Sequence, residues 1–268
     1  GVDLVTGRAK FTGDLRFPGM VYGYAARATV PAARIRAIDV SAAAKAEGVL
    51  LVLTAGDLHG PNIIGILPPF DQPVLAGEFV RYAGESLALV VADSQEAARK
   101  AARLVKADLE PLAPILTIDE ALAEGARAIH PKGNVTCSNR LVKGDAEKAF
   151  AKADVVVEGT YETSHQEHGY LEPEAVCAVP SPDGRMTVHA SCQSPFHIRG
   201  HIAANLGVPA GAVRVVQAYT GGSFGGKDDV ATEIGSLAAV AAGVLVAGVA
   251  VTLVAFFGIR AFSIFLKT

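Results

Sequence analysis

The chain has 268 residues, a net charge of −3 and 50% apolar residues. It is long enough for one large or two medium domains with a substantial buried core. The small negative charge provides no electrostatic basis for binding nucleic acid. The three cysteines, Cys137, Cys177 and Cys192, are odd in number and widely spaced. This spacing excludes a cysteine cluster that binds metal and favours reduced thiols.

The first part of the chain alternates strand-like and helix-like segments. Strands are predicted at residues 20–27, 48–54 and 87–92. A helix is predicted from Ser94 to Leu104, with Ser94 as its N-cap, and residues 105–109 return to extended structure. The pattern predicts a mixed α/β domain.

A domain connection is predicted at residues 117–133. A short helix signal there precedes Pro131-Lys132-Gly133, which is typical of a loop. The first domain therefore covers residues 1–116 and the second covers residues 134–268.

The second domain also has a mixed pattern. A helix is predicted over residues 144–153 and a strongly β-branched strand over residues 155–163. A further strand is predicted at 186–190. A helix follows over 195–206, because Gly207 and then a proline stop it.

The segment that says most about function is Gly221-Gly222-Ser223-Phe224-Gly225-Gly226-Lys227-Asp228, the glycine loop. It follows a predicted strand at 213–219 and precedes a predicted helix that begins at Val230. Glycines let several backbone N–H groups approach one anionic group, and a helix N-terminus adds unpaired donors. Lys227 adds a fixed positive charge. The loop therefore predicts a phosphate-bearing cofactor.

Two other interpretations of the glycine loop stay open. Gly221, Gly226 and Lys227 match the beginning of a nucleotide-binding P-loop, but Asp228 stands where that motif needs Ser or Thr for magnesium. Glycine-rich turns also serve close packing between a strand and a helix.

The C-terminal segment 234–259 has no charged residue and is long enough to cross a bilayer. It also fits a buried helix over 231–242 followed by a strand over 248–254. We favour the buried tail, with membrane association as the alternative. No N-terminal signal peptide is found, and because the chain begins with Gly1 rather than Met, we expect a processed, recombinant or partial chain.

Several further motifs occur in a fixed order along the chain. They are Gly7-Arg8-Ala9-Lys10-Phe11-Thr12-Gly13-Asp14, the segment from Gly48 to Leu58, Val80-Arg81-Tyr82-Ala83-Gly84-Glu85, Val157-Glu158-Gly159-Thr160-Tyr161, His168-Gly169-Tyr170-Leu171-Glu172-Pro173, Gln193-Ser194-Pro195 and the glycine loop. With these motifs the chain resembles the N-terminal part of the molybdenum subunit of the xanthine dehydrogenase and aldehyde oxidase family.

The resemblance implies an α+β or mixed α/β fold, in which an α/β hammerhead domain precedes the first part of a molybdopterin-binding domain. It implies a molybdenum–pterin cofactor, as molybdopterin or its cytosine dinucleotide form. Iron–sulfur clusters and FAD are expected on partner chains. The implied activity is hydroxylation of an aldehyde, purine or N-heterocycle with oxygen from water, in the cytoplasm.

The resemblance also assigns roles to single residues. The cofactor-binding residues are Gln193, Gly222, Ser223, Phe224, Gly225 and Gly226, and the substrate-binding residues are Phe224 and Asp228. Gln193 is expected to donate a hydrogen bond to an oxygen ligand of molybdenum. Each role has an alternative: a polar residue at a helix N-terminus for Gln193, core packing for Phe224, and a helix cap for Asp228 together with Asp229.

The glutamate base of the family is absent from this chain, so no catalytic residue is assigned. The chain is expected to form one wall of the site and to need the rest of the molybdenum subunit with iron–sulfur and flavin subunits. The alternatives are an inactive binding module and a membrane-anchored nucleotide-binding protein.

No metal ligands are assigned among the histidines. His197 and His201 lie four residues apart, and His165 and His168 lie three apart, but a zinc site needs further ligands at defined spacing. We expect these histidines at the surface or in packing.

Overall fold

The computed structural model describes residues 1–68, 70–164, 166–253 and 264–267. This part of the chain forms two compact units. The first contains Gly1–Pro114 and Tyr170–Thr268, and the second contains Ile115–Gly169.

The strands are β1 (Val21–Arg27), β2 (Ala33–Asp39), β3 (Val49–Thr54), β4 (Phe79–Val80), β5 (Ser86–Ala92), β6 (Lys106–Pro111), β7 (Ala175–Pro180), β8 (Met186–Ala190), β9 (Val213–Gln217) and β10 (Ile264–Lys267). The helices are α1 (Val2–Val5), α2 (Ser41–Ala44), α3 (Gln95–Ala102), α4 (Ile118–Leu122), α5 (Ala146–Phe150), α6 (Pro195–Leu206) and α7 (Asp229–Leu253). Short 3-10 turns lie at Thr12–Asp14, Ala55–Asp57 and Ala210–Ala212.

Two sheets organise the described chain. The larger sheet has the strand order β3-β5-β1-β10-β7-β8-β9, and the smaller has the order β4-β2-β6. In the larger sheet β1 pairs antiparallel with β5, and β8 pairs parallel with β9. The mixed α/β fold is therefore confirmed.

The predicted elements of the first 114 residues are confirmed. All seven residues of β5 are buried, which fits a central strand of the sheet. The α3 helix begins after Ser94, whose Oγ accepts a hydrogen bond from the backbone N–H of Ala97 at 3.2 Å. That bond caps the helix as the sequence predicts.

Helices α6 and α7 pack against the sheet and bring the glycine loop beside it. The α6 helix covers Pro195–Leu206, as predicted, and ends at Gly207 with φ 68°. Gly235 in α7 allows close contact with α6, because a Cβ there would lie 3.2 Å from Ile202 Cδ1. Ile198 and Ile202 are completely buried in the main core.

The predicted strand over residues 155–163 is wrong. These residues form no ladder, and Val155 and Val157 are 78% and 85% exposed. A β-branched sequence favours a pleated, half-buried surface, but a strand also needs a neighbouring strand to pair its backbone groups.

The predicted strand over residues 248–254 is also wrong within the described part. The α7 helix continues through Leu253, because no proline or charge interrupts its apolar sequence. Residue 254 and the rest of the tail to residue 259 lie outside the described residues. Asp229–Ala247 is the one helix in the described chain that is long and apolar enough to cross a membrane, and 67% of its most apolar stretch is buried.

Candidate cofactor site at the glycine loop

The glycine loop lies between β9 and α7, so the predicted strand–loop–helix context is confirmed. Its backbone is left-handed at Gly222 (φ 93°), Phe224 (φ 50°) and Gly225 (φ 99°). Among the described residues, Phe224 is the one non-glycine residue with positive φ. Such a conformation is unfavourable for a bulky side chain and occurs often at ligand-binding sites.

The Glu172 carboxylate joins the two ends of the glycine loop. Its Oε2 accepts hydrogen bonds from the Gly221 N–H at 2.7 Å and from Lys227 Nζ at 2.8 Å. The same oxygen accepts a bond from Ser191 Oγ at 2.8 Å, and Ser191 Oγ in turn accepts one from Lys227 Nζ at 2.8 Å. The motif around residue 172 pointed to this region, but the sequence did not indicate these partners.

The positive charge of Lys227 is neutralised inside the protein. Its side chain is completely buried, and its Nζ lies 4.8 Å from the ring centroid of Tyr170 as well as beside Glu172. The assignment of this charge to a cofactor was therefore wrong. A P-loop lysine must reach the phosphates of its nucleotide, so this burial argues against the P-loop interpretation.

Gln193 holds the other side of the loop through one end of its amide. Its Oε1 accepts hydrogen bonds from the N–H groups of Gly225 at 3.1 Å and Lys227 at 3.3 Å. Its backbone N–H donates to the Lys227 carbonyl at 3.0 Å. Its Nε2 has no hydrogen-bond partner in the part of the chain that the structure describes. The side chain thus has one end committed to the loop and two amide hydrogens available as donors.

Three consecutive N–H groups in the middle of the loop have no hydrogen-bond partner among the described residues. They belong to Gly222, Ser223 and Phe224, whereas the Gly226 N–H donates to the Ser223 carbonyl at 2.8 Å. The Phe224 side chain is 75% exposed, which excludes core packing in this chain. Uncharged donors grouped in this way suit an anionic ligand, so the loop fits the cofactor expected from the sequence.

Asp228 contacts α6 rather than the outer face of the loop. Its Oδ1 lies 3.6 Å from His197 Nδ1, and His197 Nε2 lies 3.1 Å from His201 Nε2. The backbone carbonyl of Asp228 accepts the first hydrogen bond of α7, from the Thr232 N–H at 3.2 Å.

Among the described residues no group of three or more His, Cys, Asp or Glu side chains is arranged to hold a metal ion. His165 lies outside the described residues.

A cavity of about 630 Å³ begins at Asp229, directly after the loop. Its polar lining includes Arg27, Tyr82, Glu174 and Glu233. Burial, followed by the nearby Glu233 charge, raises the pKa of Tyr82 to about 12. Burial and the neighbouring Asp228 raise the pKa of Asp229. The sequence did not indicate this cavity, because its lining residues come from separate parts of the chain.

Comparison with known proteins identifies both halves of the chain. The family model described as "Aldehyde oxidase and xanthine dehydrogenase, a/b hammerhead domain" matches residues 6–113. The model described as "Molybdopterin cofactor-binding domain" matches residues 129–255. The chain belongs to the xanthine dehydrogenase and aldehyde oxidase family.

Individual members of the family agree with this assignment. The chain is 39% identical over 226 residues to a probable xanthine dehydrogenase subunit of Bacillus subtilis, covering 84% of this chain and 30% of the relative. It is 38% identical over 232 residues to the nicotinate dehydrogenase large molybdopterin subunit of Eubacterium barkeri, covering 87% of this chain and 54% of the relative.

A solved structure shows the same fold. The aldehyde oxidoreductase of Desulfovibrio gigas matches with a TM-score of 0.85 at 32% identity, over 100% of this chain and 29% of that one. The predicted hammerhead and molybdopterin-binding architecture is thereby confirmed. The chain spans less than two thirds of each of these family members.

Proposed function

We propose that this chain supplies one wall of the molybdenum–pterin site in a molybdenum hydroxylase of the family. The observation that carries the proposal is the set of available donors at the glycine loop. These donors are the N–H groups of Gly222, Ser223 and Phe224 and the Nε2 of Gln193, beside loop bonds that hold their positions. When bound, the cofactor would supply the two-electron oxidation of the substrate, with the added oxygen derived from water.

Gln193 and several residues of the glycine loop have separate roles in this proposed site. Gln193 donates through Nε2 to an oxygen ligand of the metal, because its Oε1 is already used by the loop. Gly225 and Gly226 give the chain its tight turn, and Phe224 forms an apolar wall that excludes water from the substrate. Asp228 binds the substrate, an aldehyde, purine or N-heterocycle, at the expense of its contact with His197.

The proposal includes partner chains and a cytoplasmic location. The remaining part of the molybdenum subunit supplies the glutamate base, and iron–sulfur and flavin subunits carry electrons away. The α7 helix then serves as a core helix, which fits the burial of most of its apolar stretch. The cofactor is molybdopterin or its cytosine dinucleotide form.

The decisive experiment replaces Gln193 by Glu in the assembled complex. Glutamate keeps an acceptor oxygen for the Gly225 and Lys227 N–H groups but removes the amide donor. We expect molybdenum content to stay at the wild-type level and turnover to fall by about 100-fold, as for the loss of one donor to a developing negative charge. Gln166→Glu, whose amide contacts only Ser164 among the described residues, is the matched control.

Metal and nucleotide analysis of the purified complex separates the competing functions. Molybdenum in the complex supports the proposal. Absence of any bound metal points to an inactive binding module, and a stoichiometric magnesium nucleotide points to a P-loop-like protein. Unchanged turnover in the Gln193→Glu complex would contradict the role of this amide.

A further inference from the structure

We propose that Glu172 is the positioning residue of the glycine loop. One oxygen of this carboxylate holds both ends of the loop, so that the N–H groups in its middle remain turned away from the protein's own acceptors. The inference rests on the proposed function for what those N–H groups bind, but the loop geometry itself can be tested without any cofactor.

Two of the three donors around Glu172 Oε2 belong to the glycine loop, and the third lies outside it. Gly221 is the first residue of the loop, Lys227 is the last but one, and Ser191 lies two residues before Gln193. Hydrogen bonds to a charged acceptor are shorter and stronger than neutral ones. Lys227 and Ser191 are completely buried and the Glu172 side chain is 14% exposed, so water has little access to these bonds.

The first glycine of the loop is required by Glu172 rather than by a ligand. A Cβ on Gly221 would lie 2.7 Å from the Cβ of Glu172, which is closer than such atoms approach. Its φ is not in the left-handed region, so the close approach alone excludes a side chain. Gly221 and Lys227 therefore bind Glu172, which anchors the loop. Gly222, Ser223 and Phe224 present the unpaired N–H donors.

Gln193 cannot replace this anchor. Its Oε1 binds the N–H groups of Gly225 and Lys227, both in the second half of the loop. Without the Glu172 carboxylate, the N–H of Gly221 loses its acceptor, and the backbone bond from the N–H of residue 172 to the Gly221 carbonyl, 3.2 Å long, is left to hold this end of the loop.

The test compares variants in which the buried charge of Lys227 has been removed. In Glu172→Ala with Lys227→Met, both charges are absent, so no uncompensated charge remains in the core. We expect the amide hydrogen of Gly221 to exchange about tenfold faster or more than in the wild-type chain, while the amides of β5 keep their protection.

A conservative rescue separates positioning from packing. Glu172→Gln with Lys227→Met restores a neutral acceptor oxygen, and Gly221 exchange should return towards the wild-type rate. Glu167→Gln, at a side chain that is 85% exposed, is the control and should change nothing. Equal exchange at Gly221 in the wild type and both double variants would overturn the proposal.

A second variant covers the case in which the alanine variant of Glu172 does not fold. Gly221→Ala leaves every charge in place but drives residue 221 away from Glu172. The amide at this position should exchange about tenfold faster or more than in the wild-type chain. Gly13→Ala, where a Cβ meets nothing within 4 Å, is its control. Unchanged protection of the amide at position 221 would contradict the proposed close anchor.

The assembled complex links the anchor to the cofactor. In a molybdenum-loaded complex, Glu172→Gln with Lys227→Met should change the electron paramagnetic resonance spectrum of molybdenum less than Glu172→Ala with Lys227→Met. A wild-type complex without molybdenum would refute the proposed function and leave the exchange result valid. Unchanged Gly221 exchange would refute the anchor whatever the complex binds.

Discussion

The carboxylate of Glu233 in α7 lies 3.2 Å from the guanidinium of Arg27 in β1. It also accepts a 2.6 Å hydrogen bond from the buried hydroxyl of Ser86 in β5. This cluster joins the hammerhead region to the helix that follows the glycine loop. The two family domains of the first compact unit therefore share a polar contact inside the fold.

Removing the Glu233 carboxylate should destabilise the protein. Glu233→Ala leaves Ser86 without this acceptor and Arg27, whose side chain is 34% exposed, without its ion pair. We expect the free energy of unfolding to fall by about 2 kcal/mol in urea titrations. Glu96→Gln disrupts an exposed ion pair with Lys100 and should change the free energy of unfolding by less than about 0.5 kcal/mol. Equal effects of the two variants would show that the buried cluster does not stabilise the fold.

Gly60 should not tolerate a methyl group. A Cβ at this position would lie 2.1 Å from the backbone carbonyl oxygen of Asn205 in α6. Gly60→Ala should lower the free energy of unfolding by about 2 kcal/mol, because the backbone must move apart. Gly200→Ala, within α6 and facing open space, should raise it by about 0.5 kcal/mol. A stable Gly60→Ala protein would refute this close approach.

The contribution of His201 and His189 to the free energy of unfolding should fall as the pH decreases from 7 towards 5. Burial and the neighbouring His197 lower the pKa of His201, and burial and Arg214 lower the pKa of His189. In the unfolded chain these two histidines bind protons at the ordinary histidine pKa, whereas in the folded chain they do so only at lower pH. Protonation therefore favours unfolding, and the loss begins near the unfolded pKa.

His201→Gln removes one of these groups and should flatten the decrease in unfolding free energy over the same pH range. His59→Gln, at an exposed position, is the control. An identical slope in wild type and His201→Gln would show that His201 does not contribute.

Alkylation should distinguish the three thiols. Burial raises the pKa of Cys177 to about 12, and burial and Asp228 raise the pKa of Cys192 to about 11. Cys137 is exposed. Iodoacetamide at a mildly alkaline pH of about 8 should therefore modify Cys137 alone in the folded chain, since the thiolate is the reactive form. All three should react in guanidinium, and labelling of Cys177 in the folded chain would contradict its burial.

Much of the local structure could be predicted from the sequence. The α6 helix has proline in its first turn and glycine after its last, and both signals act over a few residues. The Ser94 cap is equally local. The prediction of a strand over residues 155–163 was wrong for the opposite reason. Pairing of its backbone groups depends on a neighbouring strand, which the β-branched residues themselves do not specify.

The candidate site divides in the same way. The sequence by itself determined that a glycine loop would join a strand to a helix, since turn chemistry and apolar periodicity are local properties. Only the tertiary structure decided that Lys227 lies buried against Glu172 and that Gln193 Oε1 binds the loop. Those partners lie 55 and 34 residues from Lys227, and packing alone brings such side chains together.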